Sequence, residues 1–179
     1  MANSNISVKK PKREGIANLM AALASKHGME RQRARLALVE LGKPAVPYLI
    51  EALGNKNQQV RWEAAKALGS AKAPAAAPML VSALMDKCTE VRWLAAEALI
   101  ALGKEVIVPL LHSLEKHFDS LWMRQGAHHV LHALERYDLL DEKTLQVLEA
   151  LRYLEPTVTV PLVAHSALLS FKKQVRKKA

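Results

Sequence analysis

The chain is poor in cysteine, in aromatic residues and in long apolar runs, and each shortage excludes something. Its single cysteine, Cys88, cannot close an internal disulfide, and one thiol suits a reducing interior such as the cytoplasm. Aromatic residues are only 4% of the chain, so alanine and leucine must fill the core. Met1 to Gly15 is polar and basic, without the apolar centre of a secretory signal. The longest uncharged apolar run, Pro156 to Phe171, holds two prolines, two threonines, two serines and a histidine. It is too short and too polar to cross a bilayer. No glycine-rich phosphate loop, Ser/His/Asp grouping or paired-carboxylate pattern is present. The acids Asp141, Glu142, Glu149 and Glu155 are what a helix N-terminus and a solvated helix face would carry.

Half of the 179 residues are apolar, which argues against wholesale disorder. A chain of this length buries about 70% of its unfolded surface as one domain. The net charge of +9 suggests nucleic acid until it is divided along the chain. Residues 1–35 contribute +6 and residues 171–179 contribute +5, while 36–170 sum to −2. The basicity therefore lies in the ends, where it favours solubility as readily as it serves recognition.

The central stretch states one pattern twice. Val60-Arg61-Trp62-Glu63-Ala64-Ala65-Lys66-Ala67-Leu68 returns 31 positions later as Val91-Arg92-Trp93-Leu94-Ala95-Ala96-Glu97-Ala98-Leu99. The helix holding Pro47 returns at the same offset of 31 in the one holding Pro78, and Arg124 follows Arg92 by 32. A fixed period of this size means stacked units rather than one closed core.

Read in order, residues 1–13 form a basic tail. A capping helix spans Glu14 to Lys26 and ends at Gly28. Four helical hairpins follow over 30–54, 57–86, 88–117 and 120–155. Their internal breaks fall at Gly42, Gly69-Ser70, Gly103 and the Tyr137-Asp138 turn. Pro44 and Pro74 open second helices, and Asn57 caps the helix after it. The second helix of the fourth unit covers Asp141 to Leu154, Pro156 closes it, and a last helix covers 161–178. In each hairpin an apolar stripe such as Val60, Ala64 and Leu68 can be buried only by stacking neighbours.

The motif Val-Arg-x-x-Ala-Ala-x-Ala-Leu, followed by a proline-bearing Leu-x-x-x-Leu helix, resembles the HEAT repeat, and more narrowly the short form named after phycobilin lyase subunits. The resemblance covers residues 30 to about 136 well and 137–155 weakly. It implies an all-α fold: a right-handed α-solenoid of about four HEAT-like hairpins with capping helices. Such repeats serve scaffolds, adaptors, lyase subunits and one hydroxylase. The hydroxylase type, deoxyhypusine hydroxylase, carries His-Glu pairs as iron ligands on its outer helices. Here the corresponding positions hold Trp62-Glu63, Trp93-Leu94 and Gln125-Gly126, and no His-Glu pair occurs, which argues against that activity.

The inner helices of such arrays usually form the binding surface. In leucine register, Glu51, Ser82 and His112 share one position, and Tyr48, Met79 and Pro109 another, so Tyr48, Glu51, Met79, Ser82 and His112 form a partner-binding ridge. Trp62 and Trp93 make an outer column that covers neighbouring helices or meets a partner. Arg61, Arg92 and Arg124 form a ladder to carboxylates and carbonyls of the inter-repeat turns, with Asp86 and Asp119 as partners. Five of the seven histidines fall between His112 and His132. His128 and His132, four apart, share a helical face and could grip one metal ion, although aligning the repeats puts His128 near the core. Lys172, Lys173, Arg176, Lys177 and Lys178 offer charge for a lipid surface or nucleic acid, or simply favour the helix dipole.

The resulting expectation is a non-catalytic cytoplasmic adaptor that binds a protein partner and needs no cofactor. The alternatives are an enzyme or enzyme subunit, of bilin-lyase type or metal-dependent through the histidines, and binding of nucleic acid or an anionic surface through the basic ends.

Overall fold

The computed structural model describes residues 13–152 and 156–178, with side chains described for 15–152 and 157–173. The basic tail falls almost wholly outside these residues. The elements are α1 (Arg13–Ala22), α2 (Gly28–Leu41), α3 (Val46–Ala52), α4 (Gln58–Ala71), α5 (Ala77–Ala83), α6 (Thr89–Leu102), α7 (Ile107–Lys116), α8 (Leu121–Arg136), α9 (Glu142–Arg152) and α10 (Pro156–Lys178). Short 3-10 turns at Pro74–Ala76 and Gly103–Val106 lead into α5 and α7. Among the described residues there is no strand.

These helices stack in two layers, an α-solenoid. The outer row runs α2, α4, α6, α8, each packed on the next, and the inner row holds α3, α5 and α7, each packed on the outer helix of the following unit. The core repeats with the sequence. Leu38, Leu68, Leu99 and Leu131 of the outer row are all fully buried, as are Leu49, Leu80 and Leu110 of the inner row. Each such leucine contributes about 1.5–3 kcal/mol, and none could be buried within its own hairpin.

Several boundaries differ from the sequence expectation. The first helix ends at Ala22, and Gly28 opens α2 instead of closing α1. Pro44 lies in the turn before α3, whose first turn holds Pro47 instead. The pair Gly69-Ser70 does not break a helix, because α4 runs on to Ala71. Gly69 is small for a different reason: a Cβ there would lie 3.0 Å from Ala98 Cβ and 3.1 Å from Ala98 Cα on α6. The turn after α4 is made by Lys72, at φ 45°, where the equivalent turns use Gly42 at φ 64° and Gly103 at φ 67°. Asp138, at φ 55°, closes the set after α8.

The C-terminal end departs most. Pro156 begins α10 rather than ending the preceding helix, and Pro161 lies inside α10. The β-branched run Thr157–Val160 disfavours helix locally. Complete burial of Val160, Ala164 and Ala167, with Leu168 almost as covered, overrides that preference. α10 packs on both α7 and α9, and so takes the inner-row place beside α7 that the sequence assigned to α9.

Candidate partner-binding surface

The outer row spends its polar side chains on holding the stack. Arg31 donates to the Ser25 carbonyl at 2.9 Å, Arg61 to Asn55 at 2.9 Å, Arg92 to Asp86 at 2.8 Å and Arg124 to Phe118 at 2.6 Å. In every case the carbonyl lies six residues before the arginine, in the turn that enters the helix. Three of those turn residues also accept, through their side chains, the amide two residues on: His27 N–H to Ser25, Asn57 N–H to Asn55 and Cys88 N–H to Asp86. Asp86 was expected among these acceptors, whereas Arg31, Ser25 and Asn55 were missed in the sequence, although Arg31 precedes Arg61 by 30 positions.

Three ion pairs brace the row: Arg31 and Arg35 of the first unit reach Glu63 of the second, and Arg61 holds the turn that closes the second unit. Arg61 grips Asp86 through Nε at 2.6 Å and Nη2 at 2.9 Å. Burial raises the pKa of the Asp86 carboxyl, but the Arg61 hydrogen bond and the Cys88 amide outweigh it and hold it below its ordinary value. Glu63, 2% exposed, accepts from Arg35 at 2.6 Å and from Arg31 at 3.2 Å. Asp119, expected to pair with Arg124, does not: that guanidinium reaches the Phe118 carbonyl.

The tryptophans are unequal. Trp62 is half-buried, with Lys66 Nζ 4.7 Å from its ring centre and Arg35 Cζ 5.9 Å. Trp93 is 55% exposed and leans on His129 at 5.2 Å, and Trp122, outside the expected column, lies under Arg92. The rings of His128 and His132 stack 5.9 Å apart, 7° from parallel. Burial, with Arg152, His132 and His129 adding, pushes the His128 pKa below its ordinary value, so a neutral ring is favoured. Other histidines meet acids instead: His129 lies 3.2 Å from Glu97, and His165 of α10 lies 2.7 Å from Glu115 of α7. Among the described residues, no three His, Cys, Asp or Glu side chains gather to hold a metal ion.

The inner row is different. Tyr48 and Glu51 line a cleft of about 650 Å³ between α1 and α3, with Met20, Ala24 and Asn55. Ser82 and His112 line another of about 500 Å³ between α5 and α7, floored by Pro78, Val81, Val108 and Pro109. Met79 is 38% exposed and lines neither cleft. The structure thus divides the expected ridge between two clefts. Lys172 and Lys173 are exposed on α10, and the side chains of Arg176, Lys177 and Lys178 lie outside those described.

Two rows of helices, bonded unit to unit through arginines and leaving an inner row with clefts, define a helical-repeat protein. Residues 16–99, just under half of the chain, match the family model for HEAT repeats. Among solved structures it is similar to a chain of the complex of CpcE and CpcF of phycocyanin lyase from Nostoc sp. PCC7120. There the identity is 23%, the TM-score 0.57, and the match covers 86% of this chain and 99% of that one. An engineered protein matches at 17% identity and a TM-score of 0.41, over 83% of this chain and 76% of that one. No curated protein matches the sequence significantly. Among the described residues, no helix is long and apolar enough to cross a membrane.

Proposed function

We propose that this chain is a protein-binding HEAT-repeat adaptor of the cytoplasm that engages its partner along the inner row, without catalysis of its own. The observation that carries the reading is the division of labour between the rows. The outer arginines are committed to turns and ion pairs, whereas Pro78, Ser82, Val108 and His112 are exposed in the α5–α7 cleft. A cleft lined by two prolines, two valines and two serines, with Lys116 as its one lysine and no arginine, suits a protein segment better than a phosphate backbone, which needs several cations.

The test is site-specific photocrosslinking in the source cell, with the probe at position 82 or 112 and, separately, at 93. Adducts to one defined protein from 82 and 112, and none from 93, support the inner row. Adducts only from 93 would transfer the function to the outer tryptophans. A second reading, a subunit of a two-chain lyase, draws on the fold likeness that spans 99% of a chain from such a complex. It predicts action on phycocyanin once the partner is added, and inertness alone.

A further inference from the structure

In a repeat array an apolar helix stripe is normally covered by a neighbouring element, but among the described residues α10 leaves one open. Val158 is 59% exposed, Leu162 69% and Leu169 43%. With His165 they fall at steps of four, three and four residues, one continuous stripe along a helix. The opposite side, Val160, Ala164, Ala167 and Leu168, is the buried one. From Val158 to Lys173 the stripe runs about 22 Å, the reach of a partner helix of about four turns.

Charge decides what covers it. α10 contains no acidic residue, and exposed Lys172 and Lys173 follow the stripe. The sequence adds Arg176, Lys177 and Lys178 beyond them. A second copy of this chain fits badly. Parallel α10 helices would set the two basic ends side by side, and antiparallel ones would set each against the positive end of the other helix dipole. A bilayer fits badly too, since α7 and α9 cover the flanks of α10 and leave a stripe narrower than the apolar face of an interfacial helix.

We propose that the exposed stripe of α10 docks an amphipathic helix from another protein, with carboxylates at the end that meets Lys172 and Lys173. His165, held by Glu115, marks the middle of the seat and faces the same side as His112, which lies 3.9 Å from that carboxylate. The inference rests on the reading of the chain as a protein-binding array but uses a different helix from the α5–α7 cleft.

The probe is a synthetic, hydrocarbon-stapled helix of 18 residues, a length of about five turns. It carries leucine at alternating third and fourth positions and glutamate on its polar face, and is followed by fluorescence anisotropy on the full chain. Binding should weaken at least tenfold in Leu162→Glu and again in Leu169→Glu. It should weaken several-fold in Lys172→Glu/Lys173→Glu, and fall with added salt. Met79→Glu, in the inner row, should leave it unchanged; an unaltered chain that binds this peptide but yields no crosslinks from 82 or 112 would refute the inner-row reading alone. Circular dichroism confirms that each variant is folded. No binding of the glutamate peptide, equal binding of a lysine twin, a concentration-dependent dimer abolished by Leu162→Glu, or capture by anionic vesicles in its place would each overturn the proposal.

Discussion

Gly69 gives a test in which two effects of similar size oppose each other. In an exposed helix interior, glycine to alanine stabilises by about 1 kcal/mol, because the unfolded chain loses freedom and the helix gains a favourable residue. Gly69 lies two residues before the end of α4, and on propensity alone Gly69→Ala should help. The structure says otherwise, since the added methyl would lie 3.0 Å from Ala98 Cβ and 3.1 Å from Ala98 Cα. Ala98 is 2% exposed, and the Cα cannot move aside by changing rotamer. Relief requires α4 and α6 to separate by a few tenths of an ångström, at the most extensive helix–helix contact among the described elements. Overpacking of this kind costs about 1–3 kcal/mol.

The net expectation is a loss of about 1 kcal/mol, which lowers the thermal midpoint by about 2–4 °C in a domain of this size. Urea unfolding followed by circular dichroism measures it, with two controls. At Gly126→Ala the three nearest atoms all belong to the Leu84 side chain, two methyls that can turn and a Cβ at 3.2 Å that cannot, so the loss should be smaller than at Gly69. Pairing Gly69→Ala with Ala98→Gly removes one of the two crowded atoms, so the double variant should be more stable than the single effects sum to, by about 0.5–1 kcal/mol. A Gly69→Ala protein more stable than wild type, or a cycle with no coupling, would show that α4 and α6 are not so close.

Three further expectations follow from single residues. Lys72→Gly should stabilise by about 0.5–1 kcal/mol, because φ 45° strains a side chain that Gly42 and Gly103 avoid; Lys72→Ala should not, and urea midpoints compare the three. Glu63→Ala should cost about 3–5 kcal/mol, since it strands Arg35, itself only 9% exposed, and it should shift the same midpoint far more than Glu97→Ala. Acid should act in two windows. His128 has a lowered folded pKa, so its neutral form stabilises above its ordinary 6.5, and that stability is lost as pH falls below it. Asp86, also lowered, stabilises above its ordinary 3.8 and loses that as pH falls through the folded value. Melting curves from pH 8 to pH 3 should show both steps, with His128→Phe removing the first and Asp86→Asn the second.

The parts of the fold that sequence revealed are those where each unit repeats the same burial. Leu38, Leu68, Leu99 and Leu131 recur because the same neighbour covers each, so periodicity and packing carry one message. Glycine misled for a physical reason. It serves both as a turn residue at positive φ and as the only residue that lets two backbones meet, and spacing alone does not separate Gly42 from Gly69. The last helices misled because α10 follows no repeat. Its two prolines and β-branched start argue locally against a helix that tertiary burial then imposes. The inner ridge was legible as a register position but not as two clefts, since their edges depend on where α1 and α7 lie.

The arginines show how the array separates adhesion from recognition. A guanidinium that bonds a carbonyl six residues earlier fixes the turn entering each outer helix; where an acid is also within reach, Arg31 ties the first unit to Glu63 of the second and Arg61 holds Asp86 in the turn before α6. That role needs the arginine at one register position and a hydrogen-bond acceptor in the turn, and leaves the inner residues unconstrained. The carbonyls of Ser25, Asn55, Asp86 and Phe118 all meet the second requirement; the side chains of the first three also accept the amide two residues on, which Phe118 cannot do, so the backbone carbonyl is the invariant part of the contact. Inner positions differ from unit to unit, as in Glu51, Ser82 and His112, and the bonds of the last two stay within their own helices, Ser82 to the Pro78 carbonyl and His112 beside Glu115. Replacing Arg92 should therefore loosen the turn between the second and third units without altering the chemistry presented by Ser82 and His112. If Arg92→Ala abolished crosslinking at 82 while the protein kept its melting temperature, the two rows would not be independent and this separation would be wrong.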